Sequence, residues 1–145
     1  MEKNIINTGI GSLKVITKNN YILRISIVDD AEEKIINKKV AKDIKNYFTG
    51  KTTEFVSKYK LNGTLFEMKV WKELLKIPYG ETRSYTDIAI AIGKPTAYRA
   101  VANACGSNKI PFIIPCHRVV GKNNIGGFYW GLDKKLWMME LEKII

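Results

Sequence analysis

The 145-residue chain is poor in the side chains that build disulfide frameworks and metal centres: it has two cysteines, Cys105 and Cys116, and one histidine, His117. Without a Cys-x-x-Cys spacing, neither a disulfide framework nor a zinc site is expected, and both thiols should be reduced. No cofactor-binding motif appears either, so no cofactor is expected. Long apolar runs are also missing. None approaches the roughly 18 residues that cross a bilayer, which argues against a membrane partner. Met1-Glu2-Lys3-Asn4 opens no secretory leader, and a cytoplasmic protein is expected. Acidic residues are scarce, 14 against 24 Lys and Arg, for a formal charge of +10. Such a field attracts polyanions, although lysine-rich composition also arises from genomic base bias.

Hydrophobic residues make up 46% of the chain, enough to bury a core in one compact unit or two small subdomains. Leu13 to Thr17 and Tyr21 to Val28 read as a hairpin around Lys18-Asn19-Asn20, with Leu23, Ile25 and Ile27 alternating against Arg24 and Ser26. Glu32 to Phe48 reads as a helix with Ile36, Val40, Ile44 and Phe48 on one face, stopped at Gly50. Thr64-x-x-Glu67 and Ser84-x-x-Asp87 are capping boxes that open two further helices, the first ending before Pro78 and the second at Gly93. Thr96 is placed to cap another helix running to about Cys105, so that two short helices across a tight turn suggest a helix-turn-helix. On that last helix Ala97, Ala100, Val101 and Ala104 are expected inside, with Arg99, Ala102 and Asn103 outside. Leu132 to Ile145 reads as a helix that is apolar nearly all round.

The chemistry concentrates in Ile113-Ile114-Pro115-Cys116-His117-Arg118-Val119-Val120. Apolar flanks predict a short buried strand interrupted at Pro115, with Cys116 sheltered as the reactive atom. A nucleophilic thiol needs a base or a positive field, and His117 or Arg118 can supply either. Strand neighbours point to opposite faces, so a bridging water is the expected proton path. Close packing around Cys116 would make any group added to its sulfur an overpacking defect.

Ile-Pro-Cys-His-Arg-Val resembles the active-site signature of the O6-alkylguanine-DNA alkyltransferases, the methylated-DNA–protein-cysteine methyltransferases. The resemblance runs from about Leu61 to Glu142, through Gly63-Thr64-x-Phe66, Val70-Trp71, Ile77-Pro78-Tyr79-Gly80-Glu81-Thr82-x-Ser84-Tyr85, Arg99-Ala100-Val101-Ala102, Asn108 and Gly131-Leu132. It implies an α+β fold: an α/β subdomain over residues 1–60, then a mainly helical, winged-helix-like domain over 61–145 that binds DNA and transfers the alkyl group. It also implies direct, single-turnover repair. Cys116 irreversibly takes the alkyl group from O6 of guanine, and the sequence leaves open whether O4-alkylthymine is also a substrate. The partner is double-stranded DNA, entered from the minor groove with the damaged base flipped out, and the protein is expected to act as a monomer.

By the same resemblance, Glu142 orients His117, Asn108 braces the active-site turn, and Tyr85 rotates the base and protonates the departing guanine. Arg99 fills the vacated stack, Thr86, Lys94 and Ala102 lie along the DNA, and Lys122 touches it. Gly126 to Gly131 closes the guanine pocket. Three positions depart from the family pattern: Glu67 stands for Gln, Lys109 for Pro and Phe128 for Tyr. Two other readings are a cysteine hydrolase and a non-catalytic, alkyltransferase-like lesion binder, which would lack the thiol.

Overall fold

The structure, a computed structural model, describes residues 1–145. It divides into two compact units, Met1–Leu61 and Asn62–Ile145.

The first unit is a four-stranded sheet in the order β1-β2-β3-β4, with one helix. Strands β1 (Glu2–Thr8), β2 (Gly11–Lys18) and β3 (Tyr21–Val28) form an antiparallel meander, and the short β4 (Lys58–Tyr59) pairs parallel to β3. The predicted hairpin is β2–β3. Strand β1 escapes the hydrophobic pattern because an asparagine fills one of its two buried positions, Asn4, the other being Ile6. Asn4 is fully bonded there: its amide donates to Val15 O (3.0 Å) and Thr17 Oγ1 (3.2 Å), and its Oδ1 accepts from the backbone of Ile36 and Asn37.

The same bonds correct the predicted helix start. Residues 32–37 are kept out of the helix by the bonds to Asn4 and by a bridge between Ile5 and Lys34, so α1 covers only Lys38–Phe48. Asn37 caps it by accepting from Val40 N at 3.1 Å. Val40, Ile44 and Phe48 face the core as expected, whereas Ile36, ahead of the helix, is exposed.

The second unit holds α2 (Leu65–Leu74), α3 (Tyr85–Ala91), α4 (Tyr98–Gly106), α5 (Leu132–Leu141) and a two-stranded parallel ribbon of β5 (Arg83–Ser84) with β6 (Val119–Val120). Both capping boxes are formed. Glu67 is thereby engaged with the Thr64 backbone amide at 2.9 Å, a local role for that departure. The core gathers Val70, Trp71, Leu74, Ile88, Val101, Ala104, Phe112, Ile114, Val119 and Met138, and Trp71 donates its indole N–H to Ala104 O at 2.9 Å.

Helices α3 and α4 form the helix-turn-helix, but Thr96 does not cap α4. Lys94 O accepts from Ala97 N (2.9 Å), a β-turn with Pro95 at its second position and Thr96 at its third, and α4 begins beyond it with no side-chain cap. The buried strip of α4 is Val101, Ala104 and Cys105. Val101 and Ala104 are inside and Arg99 and Asn103 outside as expected, whereas Ala100 faces solvent and Ala102 is half-buried. Helix α5 stops at Leu141 and, although apolar residues lie all round it, is buried on one side only: Leu132 and Leu136 are exposed while Met138 and Met139 are buried.

Candidate active site

Residues 110–118 are a chain of tight turns and not the predicted strand. Ile113 N bonds Pro111 O (2.8 Å) across Phe112, which has φ +58, and Cys116 N bonds Ile114 O (2.8 Å) across Pro115. The Pro115 dihedrals of −80 and 63 are those of an inverse γ-turn. A single 3-10 turn, Cys116–Arg118, follows, and extended backbone resumes only at Val119. Proline locks φ and removes an N–H, so a ladder cannot pass through this segment. The side chains therefore diverge from a turn rather than alternate along a strand.

Cys116 is 5% exposed and opens onto a cavity of about 310 Å³ lined also by Tyr85, Ala102, Cys105, Gly106, Gly127, Phe128 and Tyr129. The close-packed surroundings expected for this sulfur are therefore wrong on one side. Asn108 brackets the turns: its Nδ2 donates to Ile114 O (2.8 Å) and to Cys116 Sγ (3.3 Å), while its Oδ1 accepts from Ile110 N (2.9 Å). Burial pushes the Cys116 thiol up to about 11, against the pull of the Asn108 amide and the Lys135 charge. At neutral pH the sulfur rests as a thiol, and attack requires a base.

Behind it lies a buried network. Glu142, 2% exposed, accepts from His117 Nε2 (2.6 Å), from Arg118 Nε (2.7 Å) and Nη2 (3.0 Å), and from Gly80 N (3.2 Å). Arg118 Nη1 donates to Ile77 O at 2.7 Å. Burial lowers the His117 pKa, with Glu142 opposing, so the ring is neutral at neutral pH. Because a carboxylate only accepts, the imidazole proton stays on Nε2 and Nδ1 keeps a lone pair. That Nδ1 is buried and has no hydrogen-bond partner, so its lone pair is uncommitted.

Tyr85 lines the cavity and accepts from Gly127 N at 3.3 Å, which leaves its phenolic proton free to be donated. Burial raises its pKa, so it remains a phenol. Arg99, Thr86, Lys94 and Lys122 are exposed, Arg99 on the first turn of α4, and of the expected DNA-facing residues Tyr85 and Ala102 reach the cavity wall. Of the remaining departures, Lys109 Nζ donates to Asn62 O (3.0 Å) and Phe128 lines the cavity while meeting Trp130 edge to face. No group of three or more His, Cys, Asp or Glu side chains is placed to hold a metal.

Sequence reasoning missed Lys135 and Cys105, and left open whether His117 or Arg118 acts on the thiol. Arg118 is committed to Glu142 and Ile77, and the cation that acts on Cys116 is Lys135. A signal was available: Lys135, Met138, Met139 and Glu142 fall at i, i+3, i+4 and i+7, all buried, so two charged residues share the inner stripe of α5.

The profile of the 6-O-methylguanine DNA methyltransferase DNA-binding domain matches residues 65–144. A relative from Acanthamoeba polyphaga mimivirus, named a probable methylated-DNA–protein-cysteine methyltransferase, is 48% identical over 99% of this chain and 97% of its own. The chain belongs to this methyltransferase family. A methylated-DNA–protein-cysteine methyltransferase of Methanosarcina barkeri is 47% identical over 83% of this chain and 77% of its own. Among solved structures, the Mycobacterium tuberculosis OGT in complex with DNA superposes with a TM-score of 0.90 at 37% identity, covering 99% of this chain and 93% of that one. A methyltransferase from Pyrococcus kodakaraensis shares the fold at 22% identity and a TM-score of 0.75. The α+β fold expected from the sequence is thus that of the family.

Proposed function

We propose that this protein repairs alkylated DNA directly, moving the alkyl group from guanine O6 in duplex DNA onto Cys116 and ending its own activity in the process. The observation that carries this reading is a thiol on the wall of a 310 Å³ cavity, with a buried neutral imidazole behind it whose outer nitrogen is fixed by a carboxylate. His117 Nδ1 draws the thiol proton through water, the sulfur attacks the alkyl carbon, the O6–carbon bond breaks, and guanine departs with a proton from Tyr85. The S-alkyl thioether is stable and no step regenerates the thiol. In this reading unit Asn62–Ile145 is the alkyl-transfer and DNA-binding domain, with Arg99, Thr86, Lys94, Ala102 and Lys122 facing the duplex. The compartment is cytoplasmic.

A cysteine hydrolase needs its imidazole bonded to the sulfur, whereas here His117 Nδ1, the nitrogen left over by Glu142, has no hydrogen-bond partner and Sγ accepts from Asn108. A non-catalytic lesion binder has no use for the thiol. The test is incubation with duplex DNA carrying radiolabelled O6-methylguanine. Label should reach the protein and plateau at one methyl per chain, and Cys116→Ala should take up none while still binding DNA. A plateau well above one, or label on the Cys116→Ala variant, sinks the reading.

A further inference from the structure

Lys135 is fully buried on the first turn of α5, at the end of a helix where the dipole disfavours a cation. No carboxylate lies within ion-pair distance of it, in contrast to Lys45, Lys76, Arg83 and Arg118. Its ammonium donates instead to two carbonyls, Val119 O (2.6 Å) and Gly127 O (2.9 Å), and stands 5.9 Å from the centre of the Tyr85 ring. The groups that face it are Tyr85 from α3, Cys105 from α4, and Cys116 and His117 from the active-site turn; both thiols favour its charge, and it disfavours a charge on His117. A buried cation with no resident anion is costly, and the anion within its field is the one that Cys116 becomes.

We propose that Lys135 is a positioning residue of the transfer site: its ammonium ties the pocket loop at Gly127 to the strand that follows Cys116 and offsets the negative charge on the attacking sulfur. The proposal rests on Cys116 as the acceptor. Burial lowers the Lys135 pKa to about 8 while the Cys116 thiol lies near 11. The reactive form, Lys135 charged and Cys116 ionised, has lost one proton from the pair. Its population therefore rises tenfold per pH unit until the pair sheds its first proton near pH 8, and stays level from there until the second proton leaves near 11.

The experiment follows alkylation of Cys116 in the full-length protein by iodoacetamide from pH 6.5 to 9.5, using intact and peptide masses, and methyl transfer from O6-methylguanine duplex at pH 7.5. For the wild type we expect log rate to climb with unit slope and flatten near pH 8. Lys135→Met should be at least tenfold slower at pH 7.5 in both reactions and keep climbing past pH 9. Lys135→Arg, whose charge does not titrate, should recover much of the rate and also lack the break. A purely structural lysine would change rate and melting point without moving the break. A Lys135→Met profile that coincides with the wild type overturns the proposal. If that variant does not fold, a wild-type profile without a break near pH 8 does the same. Either outcome leaves the proposed function standing so long as label still reaches Cys116, whereas label on Cys116→Ala removes both.

Discussion

Glu142 is the residue on which the most depends, because one carboxylate with 2% exposure accepts from an imidazole, a guanidinium and a backbone amide. Replacing it with Gln leaves the Arg118 charge buried without its counter-ion, a change that costs about 3 kcal/mol or more. Glu142→Gln is expected to lower the urea midpoint accordingly and to slow methyl transfer at least tenfold; an unchanged midpoint would mean that water already solvates Arg118. A second expectation belongs to Cys116. Apolar neighbours in the sequence suggest that a methyl on the sulfur overpacks the core, yet Sγ borders a cavity with room for it. What alkylation removes is the Asn108 bond to sulfur, worth about 1 kcal/mol. The methylated protein should melt about 1–4 °C below the free protein, measured on material shown by mass to be fully modified at Cys116. A fall beyond 8 °C would restore the overpacking account.

Among the elements, the loop from Gly126 to Gly131 and helix α4 both line the cavity at Cys116, and α4 also carries Arg99 on its exposed face. Gly126 has φ +71, and a Cβ there would lie 2.5 Å from the Tyr85 hydroxyl. Gly126→Ala therefore strains the backbone and displaces the phenol. The expected outcome is a transfer rate down roughly tenfold or more, a difference of about 1.4 kcal/mol in barrier, with DNA affinity within a few-fold. Loss of affinity without loss of rate would show that the loop serves binding alone. Arg99 is exposed on α4, away from the cavity wall. If it fills the vacated stack, Arg99→Ala should slow repair of duplex DNA far more than reaction with free O6-benzylguanine, because only the duplex requires extrusion of the base. Equal losses on both substrates would exclude that role.

For the whole molecule, the charge of +10 divides evenly: each compact unit carries twelve Lys and Arg and seven Asp and Glu. Net charge thus points to a polyanion without saying where it binds. Affinity should follow the number of phosphates contacted; with about six neutralised, binding to a non-specific duplex falls about 10³-fold between 50 and 200 mM salt. Fluorescence anisotropy across that range measures the slope, and a flat response would remove phosphate contact as the basis of binding.

The sequence by itself determined what is local or motif-borne. Both capping boxes, strands β2 and β3, the helix-turn-helix and the pairing of Cys116 with His117 depend on residues a few positions apart, and their patterns are complete within those stretches. The family signature added Tyr85, Asn108 and Glu142, which are 31, 8 and 26 positions from Cys116 and which no period connects to it. Tertiary structure decided the rest. Whether a polar residue ends in the core depends on partners distant in sequence: Asn4 is inside β1 because Val15, Thr17, Ile36 and Asn37 satisfy it, and Lys135 is inside because two loop carbonyls do. The turns around Pro115 look like a strand in sequence because hydropathy records burial and not direction. Direction was settled by the bonds that Asn108 and Glu142 make across the folded unit, and those bonds aim the sulfur at the cavity and the imidazole at the carboxylate.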